Sequence, residues 1–242
     1  LPVANTFNYD GAGNNVVNAG SDNNFQFSAF DLPSGMWWDA AGITVSFSDP
    51  DVVLNGALTF VDPVVSGVMT VGTDVAHFIA TFTLTDNVGN EYVIEKHINV
   101  LPSPVPSNVQ ITGNPAAPAF FRPSNDDITV TWDVSDSQRA TEIEVRLWDL
   151  TAVPAVMLTT VTLPNDAVSH VFQLIEVDHA HQVGAQVIAH FEAYSGADTA
   201  DMVIDTNGAT SAGFITADGT DPDGLPVVAA DAAYPEVVAI GN

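Results

Sequence analysis

The chain has 242 residues, of which 30 are acidic and only 4 are basic, so its formal net charge at pH 7 is -26. So few cations cannot neutralise a phosphate backbone, which argues against nucleic-acid binding. No apolar run is long enough to span a bilayer, and an anionic membrane surface would repel the chain, so we expect no membrane insertion. The sequence has no cysteine, which excludes disulfides, iron–sulfur clusters and thiol catalysis.

Residues 1–103 contain short segments in which apolar and polar side chains alternate. Phe25 and Phe27 share one face of the run NFQFSAF, and the run ITVSFS shows the same alternation. A period of two places successive side chains on opposite faces of a sheet. Several such segments at close spacing, separated by turn residues, predict a β-sandwich.

The clearest predicted hairpin lies at the end of this first region. The run FIATFTLT begins at Phe78, the run YVIEKHINV begins at Tyr92, and the turn-rich DNVGNE joins them. The proline-rich segment LPSPVPS follows directly. Because proline has no N–H for a central strand, the sheet is expected to stop there. We therefore predict a first domain over residues 1–103, followed by a stiff, extended link.

Residues 104–206 repeat the alternating pattern. The run ITVTWDV places Ile128, Val130 and Trp132 on one face, and HQVGAQVIAHFEAY is the longest alternating run in the chain. About seven strands in about one hundred residues match the size of an immunoglobulin-type sandwich. Residues 207–242 are first turn-rich and then apolar with prolines, which predicts an irregular C-terminal tail and a possible inter-subunit segment.

The runs ITVTWDV, EIEVRLWD and VGAQVIAHFEAY make residues 108–205 similar to a fibronectin type III or related immunoglobulin-like module. The run TLTDNVGNEYVIEKHINV resembles the final hairpin of bacterial immunoglobulin-like and PKD-type repeats. The resemblance implies an all-β fold of two tandem immunoglobulin-like β-sandwiches, as in microbial or viral extracellular proteins. Such folds carry many unrelated functions, so function has to be argued from particular sites.

Acidic clusters offer the oxygen ligands that calcium prefers. The candidate ligands are Asp218, Asp221 and Asp223 in the tail, and at predicted strand ends the pairs Asp49 with Asp51 and Asp126 with Asp127. The tail cluster precedes Gly224 as in part of a calcium loop, although no glutamate closes it. The alternative for each cluster is a solvated acidic turn. Calcium is thus a candidate cofactor, and no cofactor is required.

Three histidines near one predicted strand, His179, His181 and His190, are a weaker metal candidate. Two histidines at i and i+2 on a strand face the same side, a geometry that can bind zinc. No further ligand is set by the sequence, so surface histidines are the preferred interpretation.

Aromatic and apolar segments are the candidates for contacts with other molecules. Trp37 and Trp38 lie on a predicted loop, where they could pack in the core, form an interface or stack on a sugar ring. The apolar candidates in the tail are Val227, Val228, Tyr234, Val237 and Val238. This strand-competent segment could add to the open sheet edge of a neighbouring subunit or cover its own sandwich.

No motif for catalysis is present: the sequence has no GxSxG elbow, no HExxH, no Walker loop and no GxGxxG after a strand. We therefore expect no enzymatic activity. Tandem sandwiches, high acidity and an apolar tail predict a structural subunit of an extracellular or virion-surface assembly, such as a filament, sheath, surface layer or capsid decoration. Its partners would be copies of itself or other assembly subunits. The alternative is an adhesin or carbohydrate-binding module that uses exposed loops.

Overall fold

The computed structural model describes residues 8–9, 15–29, 35–113, 120–121, 126–196 and 199–217. The first half contains strands β1 (Asn8–Tyr9), β2 (Asn15–Asn18), β3 (Ser21–Ser28), β4 (Thr44–Phe47), β5 (Val52–Leu54), β6 (Thr59–Val61), β7 (Val64–Val71), β8 (His77–Thr85) and β9 (Glu91–Leu101), with a 3-10 turn at Ala40–Gly42. The second half contains strands β10 (Val105–Gly113), β11 (Phe120–Phe121), β12 (Ile128–Ser135), β13 (Glu142–Asp149), β14 (Val156–Leu163), β15 (Ser169–Phe172), β16 (Gln182–Tyr194), β17 (Met202–Thr210) and β18 (Ile215–Ala217), with a 3-10 turn at Ser137–Arg139. The predicted all-β fold is confirmed.

The first half forms a sandwich of two sheets. One sheet has the order β1-β2-β9-β8-β4, and the other has the order β3-β7-β5, with β6 also paired to β7. Aromatic rings fill the space between them: the ring centroids of Phe27 and Phe82 are 4.4 Å apart, and those of Phe25 and Phe82 are 5.6 Å apart. The alternation predicted from the sequence sets this core, because every second residue of β8 is buried.

The predicted hairpin of β8 and β9 is present, with Thr85 paired to Glu91 at its closed end. Asp86 organises the turn, since its carboxylate accepts hydrogen bonds from the backbone N–H groups of Val88 and Asn90. Gly89 has a φ of 93°, a left-handed conformation that glycine adopts at little cost. The turn chemistry anticipated from DNVGNE therefore fixes the register of the hairpin.

The second half forms a sandwich with the strand order of an immunoglobulin-like domain. One sheet has the order β10-β12-β15. In the other, β13 lies between β14 and β16, and β16 pairs with β17 and β18 on its far side. In chain order, this is an A-B-E sheet facing a C′-C-F-G sheet, a close relative of the immunoglobulin arrangement. Residues that alternate along β12, β13 and β16 form its core.

The second sheet continues past the boundary predicted at residue 206. Strand β17 runs to Thr210, and β18 adds Ile215–Ala217, both of them paired with β16. The start predicted for the tail therefore lies inside the sheet. The turn-like composition of this segment is overridden because the long strand β16 offers backbone partners along its whole length. Residues 218–242 lie outside the described part of the chain, and the domain limits remain predictions.

The link between the sandwiches is short and is held in place. Strand β9 ends at Leu101 and β10 begins at Val105. The side-chain amide of Asn207 donates to Ser103 Oγ over 2.9 Å and to the carbonyl oxygen of Pro104 over 2.8 Å. The proline-rich segment is thus tied to the second sandwich by β17.

A reciprocal hydrogen-bonded pair joins the two sandwiches beside this link. Asn99 Nδ2 donates to the carbonyl oxygen of Tyr194 over 3.0 Å, and the N–H of Tyr194 donates to Asn99 Oδ1 over 2.8 Å. The ring of Tyr194 packs edge-on against His97 and His77, with centroid distances of 4.9 and 5.3 Å. Asn99, His97 and Tyr194 are all buried, so these contacts form a specific junction between the halves.

We predict that Asn99→Ala weakens this junction. The substitution leaves the N–H and the carbonyl of Tyr194 without their partner, and each unsatisfied buried group costs about 1–3 kcal/mol. The expected result is a lower free energy of unfolding in urea and faster hydrogen exchange of the Tyr194 amide.

The matched control is Asn165→Ala, which removes one hydrogen bond to the carbonyl oxygen of Ala140 inside the second sandwich. It should leave exchange at Tyr194 unchanged. Equal exchange rates at Tyr194 in the wild type and in Asn99→Ala would show that the pair does not hold the junction.

Candidate interaction surface

The outer face of the second sandwich carries a satisfied polar network centred on Glu144. The strand register places Thr162 and Ile188 opposite Glu144, and the Glu144 side chain reaches the diagonal neighbours Thr160 and His190. Arg146 donates from Nε to Glu144 Oε1 over 2.6 Å, Thr160 Oγ1 donates to the same oxygen over 3.0 Å, and His190 Nε2 lies 3.0 Å from Glu144 Oε2. The hydrogen bond from Arg146 is the main reason why the pKa of Glu144 falls to about 2. This network stabilises the sheet and leaves few free ligand atoms.

The histidines proposed for zinc do not converge. His181 Nδ1 lies 2.7 Å from Asp149 Oδ2 at one end of β16, whereas His190 contacts Glu144 further along the strand. Nine residues of extended strand separate their Cα atoms by roughly 30 Å. His181 and His190 therefore cannot share one metal ion.

The acidic pairs at strand ends behave as parts of turns. Asp49 Oδ1 accepts the backbone N–H of Asp51 over 2.9 Å, and the carbonyl of Asp51 accepts the N–H of Gly72. Asp126 and Asp127 lie just before β12. Within the described ranges, no group of three or more His, Asp or Glu side chains is placed to hold a metal ion. Calcium at these pairs stays a prediction, and Asp218, Asp221 and Asp223 lie outside the described residues.

The two adjacent tryptophans have different environments. Trp38 is 6% exposed and packs edge-on against Tyr92 at a centroid distance of 5.3 Å. Trp37 is 63% exposed, and its backbone is held to Asn87, whose side-chain oxygen accepts the N–H of Trp37 over 3.0 Å. The hairpin turn therefore positions Trp37 on the surface, while Trp38 belongs to the core of the first sandwich.

The apolar surface that stands out is the start of β17. Its first three residues, Met202, Val203 and Ile204, are 40%, 43% and 57% exposed. Strand β17 has 9 residues and pairs with β16 on one side. No strand in the described part of the chain pairs with its other side, so β17 is an edge strand. Of its backbone groups, the N–H of Thr206 donates to Asp205 Oδ1 over 2.8 Å.

Two of the other edge strands, β3 and β14, are more polar. Edge strand β3 begins with Ser21, Asp22, Asn23 and Asn24, a composition that discourages pairing with another chain. The opposite edge of the second sheet, β14, carries exposed Val156 and Met157 but continues with threonines. We therefore take β17 as the candidate interaction surface.

The sequence analysis predicted about seven strands in this region but did not identify an interaction surface at β17. The run TADMVID contains three successive apolar residues, whereas a strand at the rim of one core should alternate. This break in alternation was the sequence feature that could have indicated an exposed apolar edge. The apolar tail residues proposed for an interface, Val227, Val228, Tyr234, Val237 and Val238, lie outside the described residues.

Comparison with known proteins gives only distant structural likenesses. No protein-family model and no curated protein matches the sequence. The FN1–FN3 domains of chicken CNTN1 align with a TM-score of 0.30 and 12% identity, over 78% of this chain and 64% of that one. The titin domains z1z2, solved in complex with telethonin, give 0.27 and 12% over 86% and 94%. Dimeric latent PorU from Porphyromonas gingivalis gives 0.31 and 14% over 90% and 20%.

The chain therefore spans less than two thirds of the CNTN1 fragment and about a fifth of PorU. Because these TM-scores are low, the assignment of two immunoglobulin-like sandwiches rests on the strand order and the two cores. None of the helices in the described residues is long and apolar enough to cross a membrane.

We predict that Glu144→Gln lowers the free energy of unfolding at pH 7 by about 1–2 kcal/mol, because it removes a charge-assisted pair at a partly buried site. The folded pKa of about 2 lies below the ordinary value of 4.5. The stabilisation by Glu144 is therefore present above about pH 4.5 and is lost as the pH falls towards 2.

Urea unfolding at pH 7, 4 and 2.5 measures this dependence. The difference between wild type and Glu144→Gln should shrink as the pH falls through this window. Glu142→Gln, an exposed residue of the same strand, is the control and should have little effect. A difference that stays constant from pH 7 to 2.5 would contradict the assigned role.

Proposed function

We propose that this protein is a non-enzymatic structural subunit of an extracellular or virion-surface assembly, which extends by adding a strand at β17. The single observation that carries the proposal is the apolar edge at Met202, Val203 and Ile204. An exposed edge strand offers a complete row of backbone donors and acceptors to another chain. Side chains on alternate positions then set the register of the added strand.

The construction of the molecule supports a structural role. Two sandwiches are joined by Asn99 and Tyr194 and by the tie between Asn207 and the link segment. Such a junction would fix the orientation of one sandwich relative to the other. A subunit that repeats along an assembly needs a fixed orientation of this kind. A head-to-tail contact between identical subunits propagates unless its rotation closes a ring.

The proposed occupant of the β17 edge is the apolar C-terminal segment of a neighbouring copy, over residues 226–242. That segment contains Val227, Val228, Val237 and Val238, which favour extended backbone. Because each copy carries a formal charge of -26, assembly should strengthen as salt screens the repulsion between subunits.

We predict that deletion of residues 226–242 abolishes assembly while both sandwiches stay folded, and that Ile204→Lys has the same effect. A lysine on an edge strand opposes pairing with another strand and adds a buried charge to the proposed contact. Light scattering and electron microscopy across a series of NaCl concentrations measure assembly, and circular dichroism checks the fold.

Val156→Lys on the opposite edge strand β14 is the matched control, because Val156 is 50% exposed and is also an edge residue. It should assemble like the wild type. Normal assembly by the deletion variant, or by Ile204→Lys, would disprove strand addition at β17.

A role as an adhesin or carbohydrate-binding module has one supporting feature, the exposed ring of Trp37. An exposed aromatic ring on a structured loop can stack on a sugar. Trp37→Ala should then abolish retention on a glycan array without changing assembly. Unchanged retention, or no retention of the wild type, would remove this alternative.

A further inference from the structure

A cavity of about 320 Å³ lies at the junction of the two sandwiches. The first sandwich contributes Asn99, Val100 and Leu101 to its wall, the link contributes Ser103 and Pro104, and the second sandwich contributes residues of β16 and β17. Ligand pockets in proteins occupy roughly 300–1,000 Å³ and often lie between domains, so the size and the position of this cavity suit a small ligand.

One face of β17 is turned towards this cavity. Asn207 lies on that face, since its side-chain amide donates to Ser103 Oγ over 2.9 Å and to the carbonyl oxygen of Pro104 over 2.8 Å. Side chains at every second position of a strand share a face, so Asp205 and Val203 lie on the same side as Asn207. Both of them line the cavity.

The wall around Asp205 is apolar. Phe191 lies opposite Asp205 in the register of β16 and β17, and it comes two residues after Ala189, a core residue of the second sandwich. Leu101 lines the cavity from the first sandwich, and Val203 lines it from β17. Phe191 and Leu101 are half-buried and Val203 is exposed, so all three side chains retain accessible surface for an apolar ligand.

Asp205 is a carboxylate that a ligand in this cavity can reach. Its side chain belongs to an exposed residue, and Oδ1 accepts the backbone N–H of Thr206 over 2.8 Å. Within the described residues Asp205 forms no ion pair. Glu192, a second carboxylate of the wall, lies 3.3 Å from His77 Nε2. The acceptor capacity that remains at Asp205 suits a donor that carries a positive charge.

Arg139 also lines the cavity, but a ligand cannot contact its charge. Its side chain is only 2% exposed, and Nη2 is paired with Asp136, which offsets the guanidinium locally. The accessible charges of the wall are therefore negative. Because the whole chain has a formal charge of -26, its field attracts cations and repels anions.

We propose that the junction cavity binds a small organic cation, an alkylammonium ion with a branched apolar body. Its ammonium group donates to the carboxylate of Asp205 and to Ser103 Oγ, and its apolar body packs against Leu101, Phe191 and Val203. Such a ligand contacts both sandwiches, so it stabilises their docked arrangement by binding to it.

Three probes separate charge from apolar contact: 3-methylbutylamine, 3-methylbutan-1-ol, which has no charge, and methylamine, which has no apolar body. Calorimetry at fixed ionic strength measures affinity, and NMR of the wild-type protein follows the ring signals of Phe191 and the methyl signals of Leu101 and Val203. We expect saturable binding of 3-methylbutylamine that shifts these signals, and at least tenfold weaker binding of the other two probes. Absence of a saturable shift with 3-methylbutylamine would overturn the proposal. Methylamine or the alcohol binding as tightly as 3-methylbutylamine would also overturn it, since the cavity would then not combine the two requirements.

Variants then locate the charge. Asp205→Asn should weaken binding of 3-methylbutylamine at least tenfold, because the amide keeps the shape of the side chain and removes its negative charge. Asp201→Asn, which removes an exposed carboxylate just before β17, is the matched control and should change the affinity less than twofold. Retained affinity in a folded Asp205→Asn variant would refute the site. Should that variant not fold, the three probes on the wild-type protein decide the question.

Discussion

The side-chain amide of Asn99 exchanges two hydrogen bonds with the backbone of Tyr194, and the arrangement of the whole molecule depends on this pair. An amide side chain presents one donor and one acceptor side by side, just as a residue of a neighbouring strand would. Asn99 therefore extends the ladder of β16 into the first sandwich. Strand β16, with 13 residues, then connects that contact to β13, β17 and β18.

This constraint explains why a cavity and a buried cation lie between the sandwiches. The junction brings Arg139 against the first sandwich and removes its guanidinium from water. A buried charge requires compensation, and Asp136 supplies it through one nitrogen only. In a chain with 30 acidic residues, most carboxylates can stay in solvent, whereas this one guanidinium cannot.

Edge strand β3 of the first sandwich and edge strand β17 of the second differ in polarity. Polar side chains cover the exposed end of β3, while β17 presents Met202, Val203 and Ile204 along a side with which no strand of the described residues pairs. High negative charge keeps such subunits apart in dilute salt, and screening removes that barrier. In the proposed assembly, surface charge and edge chemistry together would let ionic strength control strand addition.

The sequence by itself determined the strands and the inward faces of both cores. Apolar and polar residues alternate in FIATFTLT and ITVTWDV, and this pattern indicates which side chains face the core. It can be read locally, because successive side chains of any strand point to opposite faces of the sheet. It also located the link, because Pro102 and Pro104 cannot continue a ladder. Only the tertiary structure decided which tryptophan is buried, that β17 and β18 extend the sheet past residue 206, and that Arg139 and Asn99 line one cavity. These features depend on contacts between residues far apart in the chain, which no local pattern encodes.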